Sequence, residues 1–152
     1  MRRHIEQVDG ATGEVLDGVL AWVARRPSPA FGQRWFMASQ DALDWLVTHP
    51  ELSRGEVMRV FFAIVAQLDF ENYFRVAQID VAKKLGMQRT HVCRAFKTLV
   101  KHGALLEGPR SGSVRTYRLN PTIAWKGRTT EHKRELERIR KGNVVAFPGI
   151  SL

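Results

Sequence analysis

Cysteine is almost missing from this chain: Cys93 is the single thiol in 152 residues. An internal disulfide is therefore excluded, and so is a structural zinc site built on paired cysteines. Long hydrophobic runs are missing as well. The longest, Val60 to Ala66, is bounded by Arg59 and Gln67 and falls far short of the roughly 18 residues a spanning helix requires, so no membrane partner is expected. The opening MRRHIEQVDG carries positive charge with no apolar stretch behind it, which lacks the form of a secretory signal and makes the cytoplasm the expected compartment. Hydrophobic residues at 44% and charged residues at 26% match an ordinary folded domain, and the length fits one.

Acidic residues are scarce in one place only. Against 24 Lys and Arg the chain has 15 Asp and Glu, a net charge of +9, which points to a polyanionic partner. Residues 1–81 hold 8 basic and 11 acidic groups, residues 82–120 hold 9 and 1, and residues 121–152 hold 7 and 3. The excess is concentrated in the middle.

Periodicity and breakers divide the chain into residues 1–38, 39–120 and 121–152. In the first part, Arg3–Val8 and Glu14–Val23 flank Asp9-Gly10-Ala11-Thr12-Gly13 and read as a β-hairpin, followed by a loop at Arg25-Arg26-Pro27-Ser28-Pro29. Ser39 is the expected N-cap of a helix over 40–48 that ends before Pro50. Ser53 and Glu56 have the spacing of a capping box for a helix reaching Leu68. That helix is apolar almost all round, as befits a central core helix or one side of a dimer. Next come two short helices, 78–85 and 88–102, each stopped by a glycine, Gly86 and Gly103. Val92, Cys93, Phe96, Leu99 and Val100 form the buried stripe of the second. Leu105–Glu107 and Val114–Leu119 read as strands joined by a glycine-containing loop over 108–113. A charged helix over 130–140 and an apolar tail, 143–152, complete the chain. The tail is expected to dock on this domain or on a partner, because leaving such residues in water costs about 25 cal/mol per Å².

Two helices with a glycine turn, then a hairpin, is the order of a winged helix-turn-helix, so the expected fold is α+β with an N-terminal β-hairpin and a C-terminal basic helix. In that motif the second helix enters the major groove of double-stranded DNA. Its outer face contains Gln88, Arg89, Thr90, His91, Arg94 and Lys97. Arginine reads guanine O6 and N7, glutamine reads adenine, and threonine touches the thymine methyl, so Arg89, Thr90 and Arg94 are the expected base contacts. Lys97, Lys101 and His102 lie further along and are expected on phosphates. Arg110, Ser111, Ser113 and Arg115 equip the hairpin tip for phosphate or the minor groove, and Lys83 and Lys84 flank the backbone.

An enzyme is not expected, and neither a metal nor a cofactor. The histidines, His4, His49, His91, His102 and His132, form no His-x-His pair. A hydrolytic triad, a glycine-rich phosphate loop and clustered carboxylates are all missing. Tyr73 and Tyr117 lie among apolar residues and are expected in the core. Cys93 is expected to be a small core residue, and the tryptophans Trp22, Trp35, Trp45 and Trp125 to anchor packing.

The segment Val8-Asp9-Gly10-Ala11-Thr12-Gly13-Glu14-Val15, the two-helix unit with its hairpin, and Asn120-Pro121 followed by Lys126-Gly127 together resemble the RepL family of plasmid replication proteins, over roughly residues 5–140. The resemblance implies an initiator that binds an origin and recruits host replication proteins, with no catalytic residue. The same residues are compatible with a phage or plasmid transcription regulator, and with a winged helix used for protein contacts. A homodimer is expected, because paired half-sites give a short reading helix its specificity.

Overall fold

The helices form where the periodicity places them. In the computed structural model, which describes residues 34–74, 77–111, 114–142 and 147–148, α1 spans Gln40–Thr48, and Ser39 caps it by accepting a bond from the Ala42 amide at 3.3 Å. Helix α2 spans Gly55–Val65 and buries Val57, Val60, Phe61, Ala63, Ile64 and Val65. It is a core helix, packed on α3 (Gln78–Leu85) and α4 (Arg89–Lys101). The expected capping box does not form: α2 starts at Gly55 with no side-chain cap, and it ends at Val65, short of Leu68. Glu56 turns to His91 of α4 instead, 2.9 Å away. Gly86 ends α3 in the left-handed region at φ 62°, a conformation that costs a residue with a Cβ about 1–2 kcal/mol.

Two small antiparallel sheets complete an α+β architecture. Strand β1 (Met37–Ala38) pairs with β5 (Ala124–Trp125). Strands β2 (Tyr73–Phe74), β3 (Leu105–Ser111) and β4 (Val114–Leu119) form a sheet in the order β2-β4-β3. The strands of the hairpin reach further into the expected loop than the sequence suggests, because an irregularity between Glu107 and Arg110 carries β3 past Gly108. A Cβ on Gly108 would lie 2.5 Å from the Thr116 hydroxyl oxygen, so that close approach needs glycine.

Side chains alternate across this sheet. On one face, Tyr117 packs edge-on against Phe96 of α4 and stacks with Phe74. On the other, Arg118 pairs with Glu135 of α5 (Thr129–Arg140) at 3.0 Å and lies over the rings of Tyr73 and Trp125. Tyr73 is therefore half exposed, contrary to the core role expected of it. Cys93 is likewise only partly buried, and its Sγ donates to Gln78 Oε1 at 2.9 Å. Trp125 is buried as expected, but Trp35 is exposed.

A single 3-10 turn, Phe70–Asn72, precedes β2 and carries a buried polar side chain. Asn72, fully buried, donates to the carbonyls of Leu119 and Ala124 at 3.2 and 2.6 Å and accepts from the Lys126 amide at 2.9 Å. Both Glu71 and Asn72 have positive φ, 59° and 66°, which asparagine tolerates better than most residues. Lys126 reaches back to the segment that follows α2, donating from Nζ to the Leu68 carbonyl at 2.7 Å, and Arg34 donates to the carbonyl of Ala66, the C-cap residue of α2, at 3.1 Å. From the tail, Phe147 is buried, its ring edge-on against Trp45 and its amide donating to the Thr122 hydroxyl. The described residues all belong to one compact unit, Arg34–Leu152. The proposed N-terminal hairpin, Trp22 and the Thr12-Gly13-Glu14 motif lie outside the described residues.

Asn72→Ala is expected to destabilise the protein by about 3 kcal/mol, since it removes a satisfied buried amide and leaves its partners unpaired. Asn72→Gly loses the same bonds but relieves the positive φ, so its urea midpoint should lie above that of the alanine variant, by a difference worth about 1 kcal/mol.

Candidate nucleic-acid interface

Helix α4 has two unlike faces. Val92, Ala95, Phe96 and Leu99 are buried against α2, α3 and the sheet, while Arg89, Thr90, Arg94, Lys97 and Lys101 are exposed. Four of these, Thr90, Arg94, Lys97 and Lys101, recur at steps of four, three and four residues, which aligns them in one stripe along the helix. Gln88 is the exposed N-cap residue, without a side-chain capping bond.

An open cleft of about 620 Å³ runs beside this stripe, between α4 and the β3–β4 hairpin. Its walls include Arg89, Lys97 and Lys101 from α4, Gln78 and Ile79 from the start of α3, and Glu107, Arg115 and Tyr117 from the strands. Gln78 ties the three elements together. It accepts from Cys93 on α4 and donates to the Tyr117 hydroxyl on β4 at 3.4 Å, which fixes how far the hairpin stands from the helix.

The basic groups divide by their partners. Among the described residues, Arg89, Arg94 and Lys97, with Lys83 and Lys84 on α3, form no ion pair, and each is exposed. Arg115 pairs with Glu107 at 2.9 Å across the hairpin, and Arg118 is turned away onto α5. His91, expected on the reading face, sits at its edge with Nδ1 donating to Glu56. Lys101 and His102, expected on phosphates, both bind one carboxylate: Lys101 Nζ lies 3.0 Å from each oxygen of Glu51, and His102 Nε2 donates to Oε2 at 3.0 Å. Arg110 and Ser111 lie in β3 near the tip, where only their backbone is described, and Ser113 lies outside the described residues.

The part Glu51 and Glu56 play beside α4 escapes the sequence reading, which uses Glu56 only as a capping-box residue. They stand in the net-acidic residues 1–81, and no local spacing links them to their partners on α4, 35 to 50 residues later. The donated bonds from His102 and then Lys101 pull the Glu51 carboxyl from the ordinary 4.5 down to about 2. His49 completes the cluster: its Nδ1 accepts from the Glu51 and Leu52 amides at 3.2 and 3.4 Å, and its ring stands 4.3 Å from that of His102.

The segment that carries the second half of the family resemblance does structural work. Asn120 is buried, donates to the Gly103 carbonyl and accepts from the hydroxyl of Thr122 at 2.8 Å, while Lys126 donates to the Leu68 carbonyl. Among the described residues no group of three His, Cys, Asp or Glu side chains is placed to hold a metal ion, and no helix is long and apolar enough to cross a membrane. Comparisons of the chain with family models, with curated proteins and with solved structures gave no match.

The depressed Glu51 carboxyl ties stability to acid. A carboxylate held below its unfolded value contributes stability that is fully present above about pH 4.5 and is lost as the pH falls towards about 2. Glu51→Gln should therefore lower the urea midpoint near neutrality, and the gap from wild type should close over that window. A gap of constant width would mean that the carboxylate's charge contributes nothing.

Proposed function

We propose that the protein binds double-stranded DNA sequence-specifically as a winged helix-turn-helix, with α4 in the major groove and the β3–β4 hairpin beside it. The observation that carries this reading is the stripe Thr90, Arg94 and Lys97 together with Arg89: exposed side chains of the types that read bases and hold phosphates, on a helix whose opposite face is buried. Three cations in this set have no carboxylate partner among the described residues. The element order supports it too. Helix α2, strand β2, helices α3 and α4 and then a hairpin, with β2 and β3 on either side of β4, is the arrangement in which a reading helix projects from a three-helix core and the hairpin extends beyond it.

Arg89 and Arg94 take the base-reading role and Lys97 the phosphate role, while Lys83 and Lys84 border the backbone. The family resemblance points to an origin as the site and to a replication initiator with host replication proteins as further partners, and the paired half-sites that a short reading helix needs point to a homodimer. A dimer predicts protection of two half-sites separated by one helical turn, about 34–36 Å, or a multiple of it.

The test is binding of the purified protein to duplexes covering its own gene and flanks, against unrelated duplex, across a salt series. A preference for one flank that survives rising salt is the expected result, and equal binding that vanishes with salt would overturn sequence-specific recognition. Arg94→Ala should cost about 1–3 kcal/mol and relax preference at one base position, whereas Lys97→Ala should weaken all sequences alike and reduce the salt slope by about one.

A further inference from the structure

The exposed stripe of α4 ends in a carboxylate. Lys101 is the last residue of the run Thr90, Arg94, Lys97, Lys101 and the one that reaches the far end of the reading face, yet its ammonium lies 3.0 Å from both oxygens of Glu51. Glu51 comes from the turn between α1 and α2, not from α4 itself. An exposed ion pair ordinarily holds its side chains loosely, but this carboxylate is fixed from several directions. His102, whose side chain is mostly buried, donates to the same oxygen that Lys101 contacts. The amides of Glu51 and Leu52 are held by His49, whose ring rests against that of His102 and against Trp45.

Resting on the DNA-binding reading above, we infer that Glu51 is a positioning residue: it withholds Lys101 from the phosphate backbone and so confines DNA contact to the N-terminal two thirds of α4. The physical reason is a competition between anions. For Lys101 to reach a phosphate it must leave a positioned carboxylate, and that carboxylate would then stand unneutralised close to the DNA, where like charges repel. Contact with phosphate supplies affinity without sequence information. Removing one cation from that role lowers binding to every duplex alike and leaves the base contacts of Arg89, Thr90 and Arg94, which set the preference, intact. Glu51 touches no base in this scheme. It acts through Lys101.

The experiment compares the full-length wild type, Lys101→Ala, Glu51→Gln and the double variant on an unrelated duplex and on the preferred flank, each over a salt series, with circular dichroism melts to show that every variant is folded. Lys101→Ala alone should leave the wild-type salt slope within about 0.3, because Lys101 releases no counterion there. Glu51→Gln should steepen the slope by about 0.9 and tighten binding to unrelated duplex and to the preferred flank alike, by about threefold to tenfold at low salt, leaving the ratio between them unchanged. In the double variant both gains should disappear. Persistence of the gain in the double variant would show a general charge effect instead of release of Lys101, and would overturn the inference. So would a fall of about one in the slope of Lys101→Ala alone, a result that stands even if Glu51→Gln fails to fold. Wild-type protein with no salt-dependent duplex binding would overturn the DNA reading itself, and with it the role given to Glu51.

Discussion

The side chain of Asn72 is the constraint from which the geometry of the exposed α4 face and of the hairpin beside it follows. Strand β2 is two residues long, too short to be located by its own ladder. What locates it is the amide of Asn72, which binds the chain at Leu119, Ala124 and Lys126, between 47 and 54 residues away. That clamp sets β4 beside β2, and β4 carries Tyr117, whose ring packs on Phe96 at the back of α4. A buried amide is costly unless its donors and acceptor are all satisfied. Here they are, so the polar group specifies one arrangement of the sheet where an apolar residue would permit several. The bond from Gln78 to the Tyr117 hydroxyl extends the same constraint to the start of α3 and, through Cys93, to α4.

Helix α2 fills the space that this frame encloses. Its buried residues meet α3 and α4 on one side, and the carbonyls of Ala66, its C-cap, and of Leu68, just beyond it, accept from Arg34 and Lys126. Positive charge at a helix C-terminus is favourable for the same reason that the carbonyls there need partners. Two of the basic groups in the net charge are thus engaged by carbonyls of the fold itself.

The parts that sequence made legible are those whose causes are local. Ser39 and Pro50 bracket α1, Gly86 and Gly103 stop α3 and α4, and the apolar stripe of α4 marks its inner face; each is a rule that acts within one or two turns of helix. The hairpin was legible as a pair of strands, but its length was not, because the extension of β3 depends on how Gly108 approaches Thr116 across the ladder. Strand β2, the role of Asn72 and the pairing of β1 with β5 rest on contacts between distant residues, and no periodicity announces them. The failed capping box at Ser53 shows the same limit from the other side. The local motif was present, and Glu56 found a partner in His91 on another helix.

Charge shows why a tally by segment misleads at the site itself. Residues 82–120 hold nine basic groups and one acidic, which reads as an uninterrupted positive surface. The fold then sets Glu51 and Glu56, from the acidic first part, against Lys101, His102 and His91, and sets the one local acid, Glu107, against Arg115. Arg118 turns to α5. Within residues 82–120, the cations whose described side chains form no ion pair, Lys83, Lys84, Arg89, Arg94 and Lys97, are fewer than the nine in that segment and lie closer together, on α3 and the first two thirds of α4. Total charge governs attraction to any polyanion, but the orientation in which a helix meets one is set by where that charge is left uncompensated. In this protein the carboxylates that flank α4 do as much to define that place as the arginines and lysines within it.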